Sequence, residues 1–173
     1  MLRALFPFLA LVLLTPDLPA SAEPGRPSAD DDGLAAEAPR GRLPAGVTPL
    51  AYRLDLNIDS REAGFAGSVA IDVELAAPTE RIWLHGQDLL VDELTASTAA
   101  GTTVRGSYRE VREPGVSVAL FEEPLPAGEV TLHIAYSGDF DRNLAGLFKV
   151  EEQGRPYVLA KSESIQARSY LPG

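Results

Sequence analysis

The side chains of this chain that could do chemistry together lie near its end, in residues 157–173. Residues 157–160 are rich in aromatic and aliphatic side chains and indicate a strand. The polar run after them carries the carboxylate Glu163 with two cations, Lys161 and Arg168. A carboxylate and cations at the end of a strand can offer charge-assisted hydrogen bonds to a charged ligand.

The same stretch closes with Tyr170, Leu171 and Pro172, an apolar segment with nothing after it to pack against. A domain has no physical reason to end on such a segment. We therefore expect the sequence to be the front part of a longer protein, whose function depends partly on polypeptide beyond Gly173.

No other stretch carries a recognisable catalytic motif. His85 and His133 fall in separate predicted strands, and neither has a second ligand at helical spacing, so they are typical of sheet histidines rather than metal ligands. The sequence has no cysteine and no Gly-x-Ser-x-Gly elbow. Trp83, the only tryptophan, is expected to pack rather than to bind a sugar. We predict that this chain alone binds no metal and carries no catalytic residue.

The composition narrows the class of partner. The chain has 25 acidic and 15 basic residues, for a formal net charge of -10. An acidic chain without a basic stripe is not suited to a phosphate backbone, so we predict no nucleic-acid partner. The apolar fraction of 45% is ordinary for a globular domain.

Residues 1–22 have the pattern of a signal peptide. Arg3 supplies the positive start, residues 4–14 form an apolar run interrupted by Pro7, and residues 20–22 (Ala-Ser-Ala) offer a cleavage site. The apolar run is shorter than the roughly 20 residues that cross a bilayer. We therefore predict a secreted or periplasmic protein with no membrane span after cleavage.

Residues 23–41 are rich in Pro, Gly, Ala and charge, and predict a flexible linker. The run Asp30, Asp31 and Asp32 lacks the spacing of a calcium-binding loop, so it is expected to be a solvated charge run.

The sequence before Lys161, Glu163 and Arg168 is predicted to form strands, and these must position the three charged side chains. Apolar and polar residues alternate over 52–59, which predicts a half-buried strand with one wet face, and again over 65–75, which predicts its hairpin partner. Further short runs of strand character lie at 82–85, 89–96, 102–111, 116–120, 130–136, 147–150 and 157–160. Eight or nine such strands without a convincing amphipathic helix predict an all-β fold, an antiparallel two-layer sandwich or open barrel.

Seven short stretches, taken in order, resemble a known family. They are Arg42-Leu43-Pro44, Val47-x-Pro49-x-x-Tyr52-x-Leu54-x-Leu56, Phe65-x-Gly67-x-Val69-x-Ile71, Pro78-Thr79-x-x-Ile82-x-Leu84-His85, Tyr136-Ser137-Gly138-x-Phe140, Leu144-x-Gly146-Leu147-Phe148 and Ala167-Arg168-x-x-x-Pro172. In this order and spacing they look like the N-terminal domain of the gluzincin zinc aminopeptidases, the aminopeptidase N and leukotriene-hydrolase family. The resemblance covers residues 42 to 173.

The resemblance implies a saddle-like β-sandwich over 42–173 that packs on a thermolysin-like catalytic domain of the same polypeptide. In such enzymes the zinc-binding helix and a Gly-x-Met-Glu-Asn substrate loop lie further along, and neither is in this sequence. It therefore implies zinc in the intact enzyme, none bound by this chain, and no activity of this chain alone.

The resemblance also implies one substrate-binding element here, a Gln-x-Glu segment shortly before the Ala-Arg pair. Glu163 falls at the position that holds the free α-amino group of the peptide substrate, and Lys161 falls where Gln is usual. A lysine there would repel an ammonium, pair with Glu163, or favour acidic first residues. Gln166 replaces a common Asp. In the alternative interpretation Glu163 is a solvated loop carboxylate.

Two functions remain as hypotheses. The first is the N-terminal domain of a secreted or periplasmic zinc aminopeptidase that removes N-terminal residues from peptides. The alternative is a standalone extracytoplasmic β-sandwich that binds a protein or a glycan.

Overall fold

The computed structural model describes residues 29–112, 115–163 and 165–173. Their elements are α1 (Ala29–Glu37), β1 (Val47–Ile58), β2 (Gly64–Leu75), β3 (Thr79–His85), β4 (Leu90–Thr98), β5 (Thr103–Arg112), β6 (Val116–Leu125), β7 (Gly128–Asp139), β8 (Gly146–Glu152), β9 (Arg155–Lys161) and a 3-10 helix (Gln166–Ser169). The predicted signal peptide and the start of the predicted linker lie outside the described residues. Within the described part, none of the helices combines the length and the hydropathy that a bilayer crossing requires.

Seven strands form one antiparallel sheet in the order β1-β2-β7-β4-β5-β6-β3, and β8 pairs with β9 in a separate hairpin. The sheet curls, because Ile71 of β2 and Ile82 of β3 belong to one buried cluster although their strands lie near opposite ends of the sheet. The predicted all-β antiparallel fold is confirmed, in the form of a curled sheet with an open side between β1 and β3.

The core follows from the alternation in the sequence. Every second residue of β2 and β7 points to the inside of the curl, as the pleat requires. These inner positions are at most 2% exposed: Val69, Ile71, Val73, Leu75, Val130, Leu132, Ile134 and Tyr136. Burial of such a side chain contributes roughly 1.5–3 kcal/mol, so this pair of strands supplies much of the stability.

The prediction of a half-buried first strand is wrong. Leu50, Tyr52, Leu54 and Ile58 of β1 are 41–50% exposed. The reason is the position of β1 at the edge of the sheet, where β2 is its only neighbour. Alternation predicts which side of a strand is apolar, but another layer must be present to cover that side.

Part of the predicted linker is helical. Helix α1 occupies Ala29–Glu37 and is held on the domain by buried Leu34 and Ala38 and by an ion pair between Glu37 and Arg81. The sequence pattern does not predict this helix, because a single apolar pair at i, i+4 gives no clear periodicity. Ala, Leu and Glu nevertheless have high helix propensity.

The apolar end of the chain, which has nothing after it in the sequence to pack against, packs on residues that precede it. Tyr170 and Leu171 contact the core cluster, and Pro172 is buried. The Tyr136 hydroxyl donates to the Tyr170 carbonyl at 2.7 Å. The segment after the 3-10 helix is therefore attached directly to β7.

Removing this attachment should destabilise the domain. In Tyr136→Phe the ring keeps its edge contact with Phe65, but the Tyr170 carbonyl loses its donor. We expect a loss of about 1 kcal/mol in the free energy of unfolding, measured by urea titration. Tyr157→Phe on β9, whose side chain is exposed, is the matched control. Equal stability of the two variants would contradict the attachment.

Asp72 links three strands. Its carboxylate accepts two hydrogen bonds from Arg53 of β1, at 2.6 and 2.8 Å, and one from Thr131 of β7 at 2.7 Å. The Arg53 bonds, and after them the Thr131 bond, lower the pKa of Asp72 to about 2. Because the folded pKa lies below the ordinary value of 3.8, the stabilisation is complete above that value and is lost as the pH falls towards 2.

Asp72→Asn should therefore flatten the dependence of the unfolding free energy on pH between about pH 4 and pH 2. The measurement is urea unfolding at a series of pH values, with Asp92→Asn at an exposed position of β4 as the control. The idea fails if the Asp72 variant keeps the slope of the unmodified chain.

Candidate functional site

The hairpin of β8 and β9 leads directly into the charged residues predicted from the sequence, Lys161, Glu163 and Arg168. Lys161 ends β9 and pairs with Gly146 at the start of β8. Gly146 has φ +59°, and a Cβ on it would lie 2.1 Å from the Ser169 hydroxyl oxygen. Only glycine fits there, because the hairpin and the 3-10 helix approach each other closely at this point.

Lys161 and Glu163 form an ion pair with 3.0 Å between the Lys161 ammonium and a Glu163 carboxylate oxygen. Such a pair is one of the outcomes expected for a lysine at position 161. The two side chains are 56% and 66% exposed. An exposed pair contributes at most about 1 kcal/mol, so another ammonium can displace Lys161 at small cost.

Gln166 closes a turn on the backbone of Glu163. The Glu163 N–H donates to the Gln166 side-chain oxygen at 3.2 Å, and the Gln166 N–H donates to the Glu163 carbonyl at 2.8 Å. The two bonds fix the backbone from which the carboxylate projects. The position at which the sequence departs from a common Asp therefore has a structural role here.

The 3-10 helix is attached to the loop between β3 and β4. The Gln87 N–H donates to the Arg168 carbonyl at 2.8 Å, and the Arg168 Nε donates to the Ile165 carbonyl at 2.8 Å. Ser162 and Tyr170, on either side of this helix, share a hydrogen bond between their hydroxyls. Glu163 is thus exposed as a side chain but carried on a backbone that is fixed on both sides.

Arg168 does not join Lys161 and Glu163 in a three-membered cluster in the described structure. Its charge instead acts on His85, whose pKa is lowered mainly by burial and further by Arg168. A Cβ on Gly115 would lie 3.0 Å from the Arg168 Cδ, so this arginine packs closely against the turn before β6. Lys161 and Glu163, two of the three charged residues predicted together, form an ion pair with each other.

Neither histidine forms a metal site with the residues that the structure describes. His85 lies on β3 and His133 on β7, at an exposed position. Across residues 29–112, 115–163 and 165–173, no group of three or more His, Asp or Glu side chains is arranged to hold a metal ion.

Sequence reasoning missed a large acidic cavity of about 1180 Å³ at one end of β2 and β7. Five carboxylates line it: Asp59, Glu62, Asp88, Asp139 and Asp141. They come from the β1–β2 loop, from the β3–β4 loop, and from the end of β7 with the residues after it, so no local spacing could have marked all five as one group. Asp59 is paired with Arg61, and Asp141 accepts backbone N–H bonds at 2.5 and 3.1 Å. These contacts assign at least two of the carboxylates to loop structure.

The sequence also has recognisable relatives. A family model for the Peptidase M1 N-terminal domain matches residues 48–173. Aminopeptidase M1-B of Oryza sativa subsp. japonica is 30% identical over 137 residues, which are 77% of this chain and 15% of the rice protein.

Two animal proteins match in the same way. Glutamyl aminopeptidase of Homo sapiens is 28% identical over 168 residues, 87% of this chain and 18% of the human protein. Endoplasmic reticulum aminopeptidase 1 of Rattus norvegicus is 27% identical over 140 residues, 76% of this chain and 15% of the rat protein. The chain spans less than a fifth of the length of each of these relatives. Because the family model covers well over half of the sequence, and the fold agrees with the resemblance, the chain belongs to the Peptidase M1 N-terminal domain family.

Proposed function

We propose that this chain is the N-terminal domain of a secreted or periplasmic zinc aminopeptidase, and that Glu163 holds the free amino group of the peptide substrate. The proposal rests mainly on the geometry of the Glu163 carboxylate. It is exposed, projects from a fixed turn, and already binds an ammonium, that of Lys161, at 3.0 Å. The membership of the family supports the wider assignment to aminopeptidases.

The strength of this contact depends on what covers it. Two unit charges 4 Å apart gain about 1 kcal/mol in water and about 4 kcal/mol at an effective dielectric constant of 20. A catalytic domain packed over Glu163 would exclude water and so strengthen the pair with a substrate ammonium. The fixed amino group would then place the first peptide bond, and no later one, at the reacting centre.

The exposed apolar side chains of β1 support the proposal that another part of the protein covers this domain. Four large apolar side chains of β1, led by Leu50 at 50% exposure, are left uncovered by the core. Several large apolar side chains exposed on one edge strand are typical of an interaction surface. This observation favours the domain of a longer enzyme over the standalone binding module.

The family implies zinc, and the described residues do not fit it, since they contain no group of metal-binding side chains. We therefore place the metal in the catalytic domain and assign no chemical step to this chain. Its own part is to bind and orient the substrate.

Lys161 is expected to make the proposed site selective for the first side chain of the peptide. Once a substrate ammonium binds Glu163, the Lys161 ammonium lies beside the first residue of the peptide and can pair with an acidic side chain there. It also repels a basic first side chain. We propose that the enzyme favours peptides that begin with Asp or Glu.

The amine-binding role is tested in the protein translated from the gene to its own stop codon. Glu163→Gln removes one charge-assisted contact, worth about 1.5–3 kcal/mol, so kcat/KM for peptides with a free N-terminus should fall roughly 10- to 100-fold. Glu151→Gln, at an exposed position of β8, is the matched control. A Glu163 variant as active as the control would refute the role, and a full gene product without aminopeptidase activity would refute the assignment.

The preference is tested in the same protein with Lys161→Gln. The ratio of kcat/KM for substrates that begin with Glu to that for substrates that begin with Ala should fall several-fold, because the acidic side chain loses its cation. Lys149→Gln on β8 controls for net charge. An unchanged ratio would show that Lys161 does not read the first side chain.

A further inference from the structure

The open side of the curled sheet is a mainly apolar cleft of about 320 Å³ between β1 and β3. Val47, Pro49 and Tyr52 line one side, and Trp83 and Leu84 line the other. Because β1 and β3 are the two outer strands of the sheet, each has an edge that no other strand of the sheet occupies. Unpaired strand edges readily accept a further strand.

Gly173 is one of the residues that line this cleft, and its backbone pairs with β3 as a residue of a further strand would. Its N–H donates to the His85 carbonyl, and the His85 N–H donates to its carbonyl, both at 2.7 Å. Two residues that exchange both bonds form the hydrogen-bonded pair of an antiparallel ladder. The chain therefore reaches Gly173 running antiparallel to β3.

The next hydrogen-bonding position along this edge is Trp83. Backbone groups two residues apart point to the same side of a strand, so the Trp83 N–H and carbonyl face the cleft as those of His85 do. At Arg81 the edge is closed, because the Thr79 hydroxyl donates to the Arg81 carbonyl at 2.8 Å and accepts from its N–H at 3.1 Å. The edge that remains to be filled is centred on Trp83.

A strand that runs antiparallel to β3 could also pair with β1 on the other side of the cleft. Every neighbouring pair in the sheet is antiparallel, and five strands lie between β1 and β3, so these two outer strands run in the same sense. A strand antiparallel to β3 is therefore antiparallel to β1 as well. On the β1 side, the Tyr52 ring already touches Gly173, since a Cβ there would lie 2.8 Å from it.

We propose that the polypeptide beyond Gly173 supplies a strand that inserts between β1 and β3, pairs with Trp83 and closes the sheet. This rests on the proposed function, because the continuation exists only if the domain precedes further chain, as it does in relatives several times longer. The inserted segment is expected to be apolar at the positions that face the core beside Leu84.

The test is amide hydrogen exchange on the full gene product and on the 173-residue chain. The Trp83 amide should exchange roughly tenfold or more slowly in the longer protein. The Leu84 amide, which faces β6, should be protected in both, and the Ala100 amide, in the turn after β4, should be fast in both. Fast exchange at Trp83 in an active aminopeptidase would overturn the proposal alone. Protection without activity would keep it and refute the function. A gene product that ends at Gly173 would refute both.

Two further measurements exclude other occupants and other causes. Protection of Trp83 in the 173-residue chain that rises with protein concentration would show a second copy in the cleft and overturn the proposal. In the longer protein, Gly173→Val should reduce the protection, because the new side chain meets the Tyr52 ring. Gly33→Val in helix α1 is the control, since Gly33 is not among the residues that line the cleft and a Cβ on it has no atom within 4 Å. Equal protection in the two variants would also count against the strand.

Discussion

The pairing of β2 with β7 is the interaction on which the rest of the structure depends. Its register is unbroken over twelve residues of each strand, from Gly64 opposite Asp139 to Leu75 opposite Gly128. In this register Gly67 lies opposite Tyr136, and a Cβ on that glycine would come within 3.1 Å of the tyrosine ring. The glycine leaves room for the ring, the ring's hydroxyl holds the Tyr170 carbonyl, and that contact positions the segment that carries Glu163.

Much of this fold could be predicted from the sequence, because a strand with one buried face repeats every two residues. The all-β class was predicted from such alternation together with shorter runs of strand character, and the nine observed strands overlap the nine predicted runs. Strand order does not, since β2 pairs with β7 across more than fifty residues and no local pattern specifies such a partner. The exposure of β1 was missed for the same reason, because edge position is a property of the whole sheet.

The contacts of the candidate site also fall into two groups, those that could be predicted from local sequence and those that could not. The pair of Lys161 and Glu163 was foreseeable, because residues two apart at the end of a strand point to the same side. The bond from Tyr136 to Tyr170, the pair of His85 and Gly173, and the five-carboxylate cavity were not. Each joins segments far apart in sequence, so only the folded chain brings them together. The chemistry of the site was local, whereas its support was not.

The segment 162–173 couples the two incomplete features of the domain. Glu163 lies near its beginning, where the carboxylate is exposed and only weakly paired. Gly173 lies at its end, fixed to β3 and in contact with β1. Between them, the 3-10 helix and Tyr170 are held by the β3–β4 loop and by β7. Any polypeptide that binds at Gly173 therefore acts on the same short, braced segment that presents the carboxylate. If both proposals hold, completion of the sheet and positioning of the substrate's amino group would act through this one segment.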